Sequence, residues 1–373
     1  MRIGISCYPT HGGSGVVATE LGKHLAERGH EVSFISYSSP LRLSQPPRGV
    51  CFHEVTVEEY PLLKQFPYGL ALASKIVEVA RSHDLEILHA HYAIPFAAAA
   101  VLARLIASER KLRVVTTLHG TDISLVGGNR SFRPVTTFAI ESSDAVTAVS
   151  SFLRAETYRA FDVRREIRVI PNFIDPGRYQ PHESLSQVPT LVHVSNFRPL
   201  KRARDVVEVF RRVRRAIDAR LVFVGDGPDL SDVMYRVEKL GLGDSVTYHG
   251  VVDEVAPILK DTDLFLLPSE SESFGLAALE AMAAGVPPVA SDVGGLGEVI
   301  ENGVSGYLCP VGDVDAMAER CLELLSDRER WSSFSRASRE RAVTLFHYEP
   351  IVRRYEELYR EVLASSTPSS RGS

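Results

Sequence analysis

Cysteine is scarce in this chain: the four present, Cys7, Cys51, Cys309 and Cys321, are too few and too scattered for a disulfide framework or a paired-cysteine zinc site. A reducing cytoplasm is therefore the expected setting. Long hydrophobic runs are missing too. The longest, Ala93 to Ala103, stops at Arg104 and falls short of the ~18 to 20 apolar residues that would span a bilayer. There is no surplus of positive charge, since 42 Lys and Arg stand against 47 Asp and Glu for a formal net charge of −5. That balance argues against nucleic acid or an anionic membrane as partner, so any anion must meet a local site. Met1 runs directly into a strand-like segment without a basic and apolar leader, so no secretory signal is expected. Neither the spaced G-x-G-x-x-G of dinucleotide enzymes nor the G-x-S-x-G elbow of hydrolases occurs at a suitable turn.

What is present is ordinary globular material: 45% apolar and 24% charged residues over 373 positions. At roughly 150 residues per domain, two domains are expected. Short apolar runs alternate with segments of helical period, the pattern of parallel sheets flanked by helices. In the first half the strands read RIGIS (2–6), EVSFIS (31–36), LEILHA (85–90), LRVVTT (112–117) and DAVTAV (144–149). Between the first two, Val17, Leu21 and Leu25 form one stripe, which predicts a helix over 16–28 that ends at Gly29. Four prolines between 171 and 189 read as a linker. A second series follows, TLVHVS (190–195), ARLVFVG (219–225), SVTYHG (245–250), DLFLLPS (263–269) and PPVAS (287–291). The expected architecture is α/β, with doubly wound domains over 1–170 and 190–347 facing across a cleft and ligands beyond the carboxyl ends of the strands. A last helix over 348–364 carries Ile351, Tyr355, Leu358 and Val362 as a packing stripe, and 365–373, rich in Ser and Pro, is an expected frayed tail.

Candidate chemistry sits after the strands. Gly12, Gly13 and Gly15 open a helix where free N–H groups favour an anion, and Ser14 adds a hydroxyl. In SESESFGLAALEAMAAG, Glu272 lies in the entry loop of a helix expected near Phe274, and Glu280 lies inside it. The amides of Phe274, Gly275 and Leu276 would then seat a diphosphate, with Glu280 accepting from ribose hydroxyls and Glu272 from sugar hydroxyls. Read singly, Glu272 is equally an ordinary acid near a helix N-terminus and Glu280 a solvated surface acid. Arg198 and Lys201 follow a strand end, where two cations can neutralise a leaving diphosphate, whereas Arg211, Arg212, Arg214 and Arg215 read as a basic helix face. His89 and His91 share one face of a strand, which raises a metal site against a structural or substrate-bonding role. Asp261 with Asp263 and Asp313 with Asp315 read as turn and cap residues rather than a metal-diphosphate site.

Taken together these residues resemble glycosyltransferase family 4, retaining enzymes of the GT-B fold. ESFGLAALEAMAAGVPPVAS carries that family's E-x7-E motif in Glu272 and Glu280, and VGDGP (224–228) and HGVV (249–252), with Gly225 and Val251, match its nucleotide-side loops. CYPTHGGSGVVATELG, PYGLALASK, LHAHYAIP, TTLHGTDISLVG and VSNFRPLKR further resemble the members that move N-acetylglucosamine from UDP-GlcNAc to L-malate at the start of bacillithiol synthesis. The resemblance implies that Glu280 holds the ribose, that Arg198 and Lys201 hold the diphosphate, and that Glu272 with the 274–276 amides holds sugar and phosphate. Gly13 joins the donor site, His119 lies beside the transferred sugar, and Ser14, Tyr92 and Thr117 hold malate. It also implies a catalytic set of His119, Lys201, Arg198 and Glu272, no cofactor or metal, and a final helix that crosses back to the first domain. A homo-oligomer is compatible with the sequence. Many members place Arg five residues before the lysine, where this chain has Asn196, so Arg198 is expected to supply that charge. Rival readings are a UDP-GlcNAc 2-epimerase, a family 4 transferase for another acceptor such as inositol phosphate, and a catalytically silent nucleotide-sugar sensor.

Overall fold

The computed structural model describes residues 1–9, 12–43, 46–57, 68–108, 112–125, 129–182 and 184–365. Thr10 and His11 of the first glycine loop, Pro67, Val126 and Gly127 of the quoted motifs, and the tail beyond Ser365 lie outside that set. The chain divides into two units, Met1–Ile170 with Glu349–Ser373, and Pro171–Tyr348.

The first unit is built on a parallel sheet of β1 (Arg2–Ser6), β2 (Glu31–Ser36), β3 (Val50–Glu54), β4 (Ile87–His91), β5 (Arg113–Leu118), β6 (Ala145–Ala148) and β7 (Ile167–Val169). Its order is β3-β2-β1-β4-β5-β6-β7. β1 pairs Ile3 with Val32 on one side and with Ile87 on the other, so the winding direction reverses between β1 and β4. That reversal opens a crevice beyond the ends of these strands. β3 and β7 were not expected; both are short edge strands, and β3 alternates polar positions that dilute its apolar signal. The first helix covers Gly13–Glu27, three residues earlier than its stripe suggests, because the glycine loop itself enters the helix: Gly15 N and Val16 N both donate to Gly12 O.

The C-terminal helix, Tyr348–Ala364, belongs almost entirely to this unit. Besides the expected stripe, Val352 and Tyr359 are buried, and each fully buried large side chain contributes about 1.5–3 kcal/mol. Glu356, only 4% exposed, fixes the register: its carboxylate accepts from Arg28 Nη2 and His30 Nε2, each at 2.8 Å.

The second unit has its own parallel sheet: β8 (Thr190–Val194), β9 (Arg220–Val224), β10 (Val246–Tyr248), β11 (Leu264–Leu267), β12 (Pro288–Ser291) and β13 (Tyr307–Cys309). The order β10-β9-β8-β11-β12-β13 reverses between β8 and β11. Central strands such as LFLL and PVAS are buried throughout, as expected when helices cover both faces. The core gathers Phe197, Phe210, Phe223, Val206, Leu266 and Trp331, and the indole Nε1 of Trp331 donates to Asp263 O at 2.9 Å.

Part of the segment expected as a linker is a packed component of this second unit. Tyr179 is buried and donates to Glu280, and His182 Nδ1 bonds Lys260 O. Asp263 accepts from Ser186 N and Thr190 N and bonds His182, so this acid ties the proline-rich segment to β11 instead of serving a metal. Prolines dilute periodicity without preventing packing, which is why the segment reads as loose.

Candidate active site

In the first unit, groups from the ends of β1, β4 and β5 converge. Gly13 is exposed and Ser14 half-buried at the start of the first helix, and neither amide donates to a protein acceptor among the described residues. Tyr92 follows β4 at φ 93°, a conformation that costs a non-glycine residue about 1–3 kcal/mol. It is held there because Tyr92 N donates to Thr117 O and Tyr92 O accepts from Ala97 N. Its ring lies 5.2 Å from that of His119 and 5.4 Å from Tyr8. Burial pushes the Tyr92 phenol up to about 12, against a hydrogen bond with Ser14 that favours the phenolate. Ser14, Tyr92 and His119 are thus brought together.

Thr117 is placed differently from the expectation. It is fully buried, and its hydroxyl is engaged by His89 Nε2 at 2.7 Å and Thr147 Oγ1 at 2.7 Å. Strand alternation points this side chain into the sheet's covered face, so Thr117 supports the site from below. His89 is likewise structural: Nδ1 bonds Tyr359 Oη at 2.8 Å, linking the C-terminal helix to β4. His91 Nδ1 lies 2.9 Å from His119 Nε2. Burial draws His89 and His119 down to about 3 and His91 well below its usual value, so all three imidazoles are neutral near pH 7. Among the described residues no cluster of three or more His, Cys, Asp or Glu is placed to hold a metal.

Asp122 was missed by sequence reasoning. Its buried carboxylate accepts from Ala93 N (2.9 Å), Gly120 N (2.9 Å) and His119 N (3.2 Å), lashing the loop after β4 to the loop after β5. Burial lifts it to about 6, although the three amides favour the charged form. The available signal was an Asp three residues past a strand-end histidine, which on its own reads as a turn residue.

In the second unit the loops after β8, β9, β11 and β12 pack backbone to backbone. A Cβ on Gly225 (φ 111°) would stand 1.9 Å from Ser195 O, and one on Gly227 would stand 1.8 Å from Asn196 O. Only glycine permits that approach. His193, buried in β8 and drawn down to about 4 mainly by burial, bonds Leu266 O and Ser195 Oγ, and Ser195 Oγ in turn accepts from Phe197 N. The loop so braced presents Arg198, exposed and without a side-chain partner among the described residues, and Lys201. Lys201 Nζ meets Glu272 Oε1 at 2.5 Å, and Ser269 Oγ donates to the same oxygen at 2.9 Å.

The helix that carries Glu280 spans Leu276–Ala283, and Gly275 at φ 96° stands as its N-cap. It starts two residues later than expected because Gly275 turns into the left-handed region against Leu296, where a Cβ would clash at 2.4 Å. The amides of Phe274, Gly275 and Leu276 donate to no protein acceptor among the described residues, which leaves a cluster of N–H groups at the positive end of a helix. Glu280 is 7% exposed, so it is not a solvated surface acid; Tyr179 Oη donates to its Oε1 at 2.8 Å. Val251 is 45% exposed, beside Gly250, whose carbonyl accepts from Gly225 N at 2.7 Å. Arg211 and Arg212 pair with Glu208, and Arg214 with Asp218, as a basic helix face should. Asp313 caps the helix Val314–Leu325 by accepting from Ala316 N.

Two Rossmann-like units, the second with a helix-end amide cluster that has no acceptor among the described residues, a Lys201–Glu272 pair, Arg198 and Glu280, define the GT-B class, and this chain belongs to glycosyltransferase family 4. Residues 11–178 match the model described as Glycosyltransferase Family 4, and residues 180–341 match Glycosyl transferases group 1. The chain is 46% identical to N-acetyl-alpha-D-glucosaminyl L-malate synthase of Bacillus anthracis, over 97% of each chain. Among solved structures it is similar to sucrose-phosphate synthase from Thermosynechococcus elongatus, with a TM-score of 0.81 at 22% identity, covering 98% of this chain and 100% of that one. Anabaena Alr3699/HepE in complex with UDP and glucose has a TM-score of 0.80 at 20% identity, covering 96% and 99%. At those identities the structural likeness speaks for the fold alone. No helix among the described residues is long and apolar enough to cross a membrane.

Proposed function

We propose that this enzyme transfers N-acetylglucosamine from UDP-GlcNAc to the hydroxyl of L-malate with retention of configuration, the first step of bacillithiol synthesis, in the cytoplasm and without a metal. The observation that carries the reading is the near full-length 46% identity to a synthase of that name, with the anion seat in the second unit as its structural support. The amides of Phe274, Gly275 and Leu276, together with Arg198 and Lys201, hold the diphosphate. Glu280, oriented by Tyr179, accepts from the ribose hydroxyls. Gly225 and Val251 line the nucleotide side, and Gly13 joins the donor contacts. Glu272 accepts from a sugar hydroxyl and holds Lys201 in place until the diphosphate arrives.

The neutral groups of the first unit hold the acceptor and the sugar. Malate's carboxylates meet the Ser14 amide at a helix N-terminus, with the Ser14 and Tyr92 hydroxyls, while Thr117 supports that floor. His119 lies beside the transferred sugar. As the bond from the anomeric carbon to the β-phosphate oxygen breaks, the malate hydroxyl bonds to that carbon on the same face, and its proton passes to the departing phosphate. Protein groups position the reactants and stabilise the charge that develops on the diphosphate.

The test is UDP release from UDP-GlcNAc across a panel of hydroxy acids and inositol phosphates, with and without EDTA. Release that requires L-malate, survives the chelator and yields the α-anomer is expected. Turnover of UDP-GlcNAc without malate would mark an epimerase, and release driven by inositol phosphate would overturn the acceptor. Loss of release on chelation, restored by a divalent ion, would overturn the metal-free mechanism.

A further inference from the structure

Tyr92 is the strained residue of the first unit's site. At φ 93° and ψ 139° it lies outside the regions open to residues with a bulky side chain. Such a conformation persists only where its surroundings over-determine it, and it concentrates where a side chain must be aimed. Here the residue is held on both flanks. Tyr92 N donates to Thr117 O at 2.9 Å, and the next amide, Ala93 N, donates to Asp122 Oδ2 at 2.9 Å. The first bond ties the residue to β5, and the second fixes the plane of the Tyr92–Ala93 peptide. Held in this way, the ring stays beside Tyr8 and His119, and its hydroxyl meets the Ser14 and Thr121 side chains.

The two oxygens of Asp122 divide their work between loops. Oδ2 receives Ala93 N from the loop after β4, whereas Oδ1 receives Gly120 N at 2.9 Å and His119 N at 3.2 Å from the loop after β5. The residue is 1% exposed, so a lost bond leaves a buried amide without an acceptor. We propose that Asp122 is a positioning residue for the acceptor: through Oδ2 it holds Tyr92 in its strained conformation and so sets where the Tyr92 hydroxyl stands, while through Oδ1 it separately holds the loop that carries His119. The inference rests on the reading that Tyr92 bonds malate and that His119 lies beside the sugar. A carboxylate suits this post because it accepts on both oxygens and donates on neither. An asparagine amide has one accepting and one donating end, and turning its NH2 toward two backbone N–H groups costs more than turning it toward one. In Asp122→Asn the oxygen therefore keeps to Gly120 and His119, the NH2 faces Ala93 N, and Tyr92 alone is released.

Amide hydrogen exchange and steady-state kinetics on the full-length protein test this together. In the wild type the Ala93, His119 and Gly120 amides should all exchange at least ~10²-fold more slowly than exposed amides. In Asp122→Asn, Ala93 should lose ~10-fold or more of its protection while Gly120 and His119 keep theirs, and the KM for malate should rise by ~10-fold or more with the KM for UDP-GlcNAc within about twofold of wild type. Asp122→Ala, which removes both oxygens, should release all three amides and lower kcat as well. A lowered thermal midpoint in Asp122→Asn with both KM values unchanged would mean a merely structural role and overturns the proposal. Rapid exchange of Ala93 in the wild type overturns the clamp even if neither variant folds. Equal loss of protection at all three amides in Asp122→Asn overturns the division between the two oxygens, and selective release of Ala93 without a change in the KM for malate overturns the link to the acceptor. Exchange is read with no substrate present, so the acceptor reading is decided separately, by malate-dependent UDP release in the wild-type enzyme.

Discussion

The two units solve the same topological problem with opposite electrostatics. Each reverses its strand order at a central pair of strands, and each gathers its candidate residues at strand ends. In the first unit those residues are neutral but for the buried Asp122, which binds backbone amides: hydroxyls, a tyrosine pushed up to about 12 and imidazoles drawn down to about 3. In the second they are charged, with an exposed Arg198, a Lys201–Glu272 pair at 2.5 Å and helix-end amides that have no acceptor among the described residues. The difference tracks what each must do. A group that orients a sugar or an acceptor needs fixed direction, which buried neutral hydrogen bonds supply. A group that receives a departing diphosphate needs charge that is in place before the bond breaks.

The sharpest way to break this contrast is at Lys201. Lys201→Ala should lower turnover by ~10²-fold or more in a folded, monodisperse protein, because the charge it supplies grows in value as the diphosphate leaves. Wild-type rates in that variant would remove the cation from the mechanism and level the difference between the units. Next in size is the close approach that shapes the charged site. Gly227→Ala forces a methyl into Asn196 O and should cost about 2–3 kcal/mol, read as a lowered thermal midpoint together with weakened UDP binding. An unshifted midpoint would show that these loops do not need to touch.

The smallest effect sharpens the neutral side. A buried histidine whose folded pKa lies below the unfolded value of about 6.5 binds fewer protons when folded, so stability falls as pH drops below that value and continues to fall toward the folded pKa. His89 and His119 reach about 3 and His193 about 4, which places the loss between roughly pH 6.5 and 3. Asp122 runs the other way, since its folded value of about 6 stands above the usual 3.8 and removes stability as pH rises between them. Urea midpoints should therefore decline from about pH 7 to about pH 5, and His89→Gln should flatten that decline. A slope unchanged by the substitution would mean that the buried imidazoles carry no such linkage.

Much of this was legible in the residues alone. Strong central strands such as DLFLLPS and ARLVFVG stand out because burial on both faces makes them continuously apolar, and the glutamate pair stands out because two acids flank a helix start. β3, β7 and β13 were lost because three to five residues at a sheet edge carry too little pattern. Roles that depend on what lies beneath a residue were not accessible either. Nothing local distinguishes the Thr117 hydroxyl, consumed by His89 and Thr147, from one that faces a ligand. Asp122 and His91 act through partners about 30 residues away, and such pairings exist only once β4 and β5 lie side by side.

The most direct measurement is a crystal structure of the enzyme soaked with UDP. The β-phosphate should lie within hydrogen-bond reach of the Phe274, Gly275 and Leu276 amides, with Lys201 turned from Glu272 toward it and the ribose hydroxyls on Glu280. Nucleotide density away from those groups, with the Lys201–Glu272 pair intact, would contradict the division of labour between the charged and neutral units.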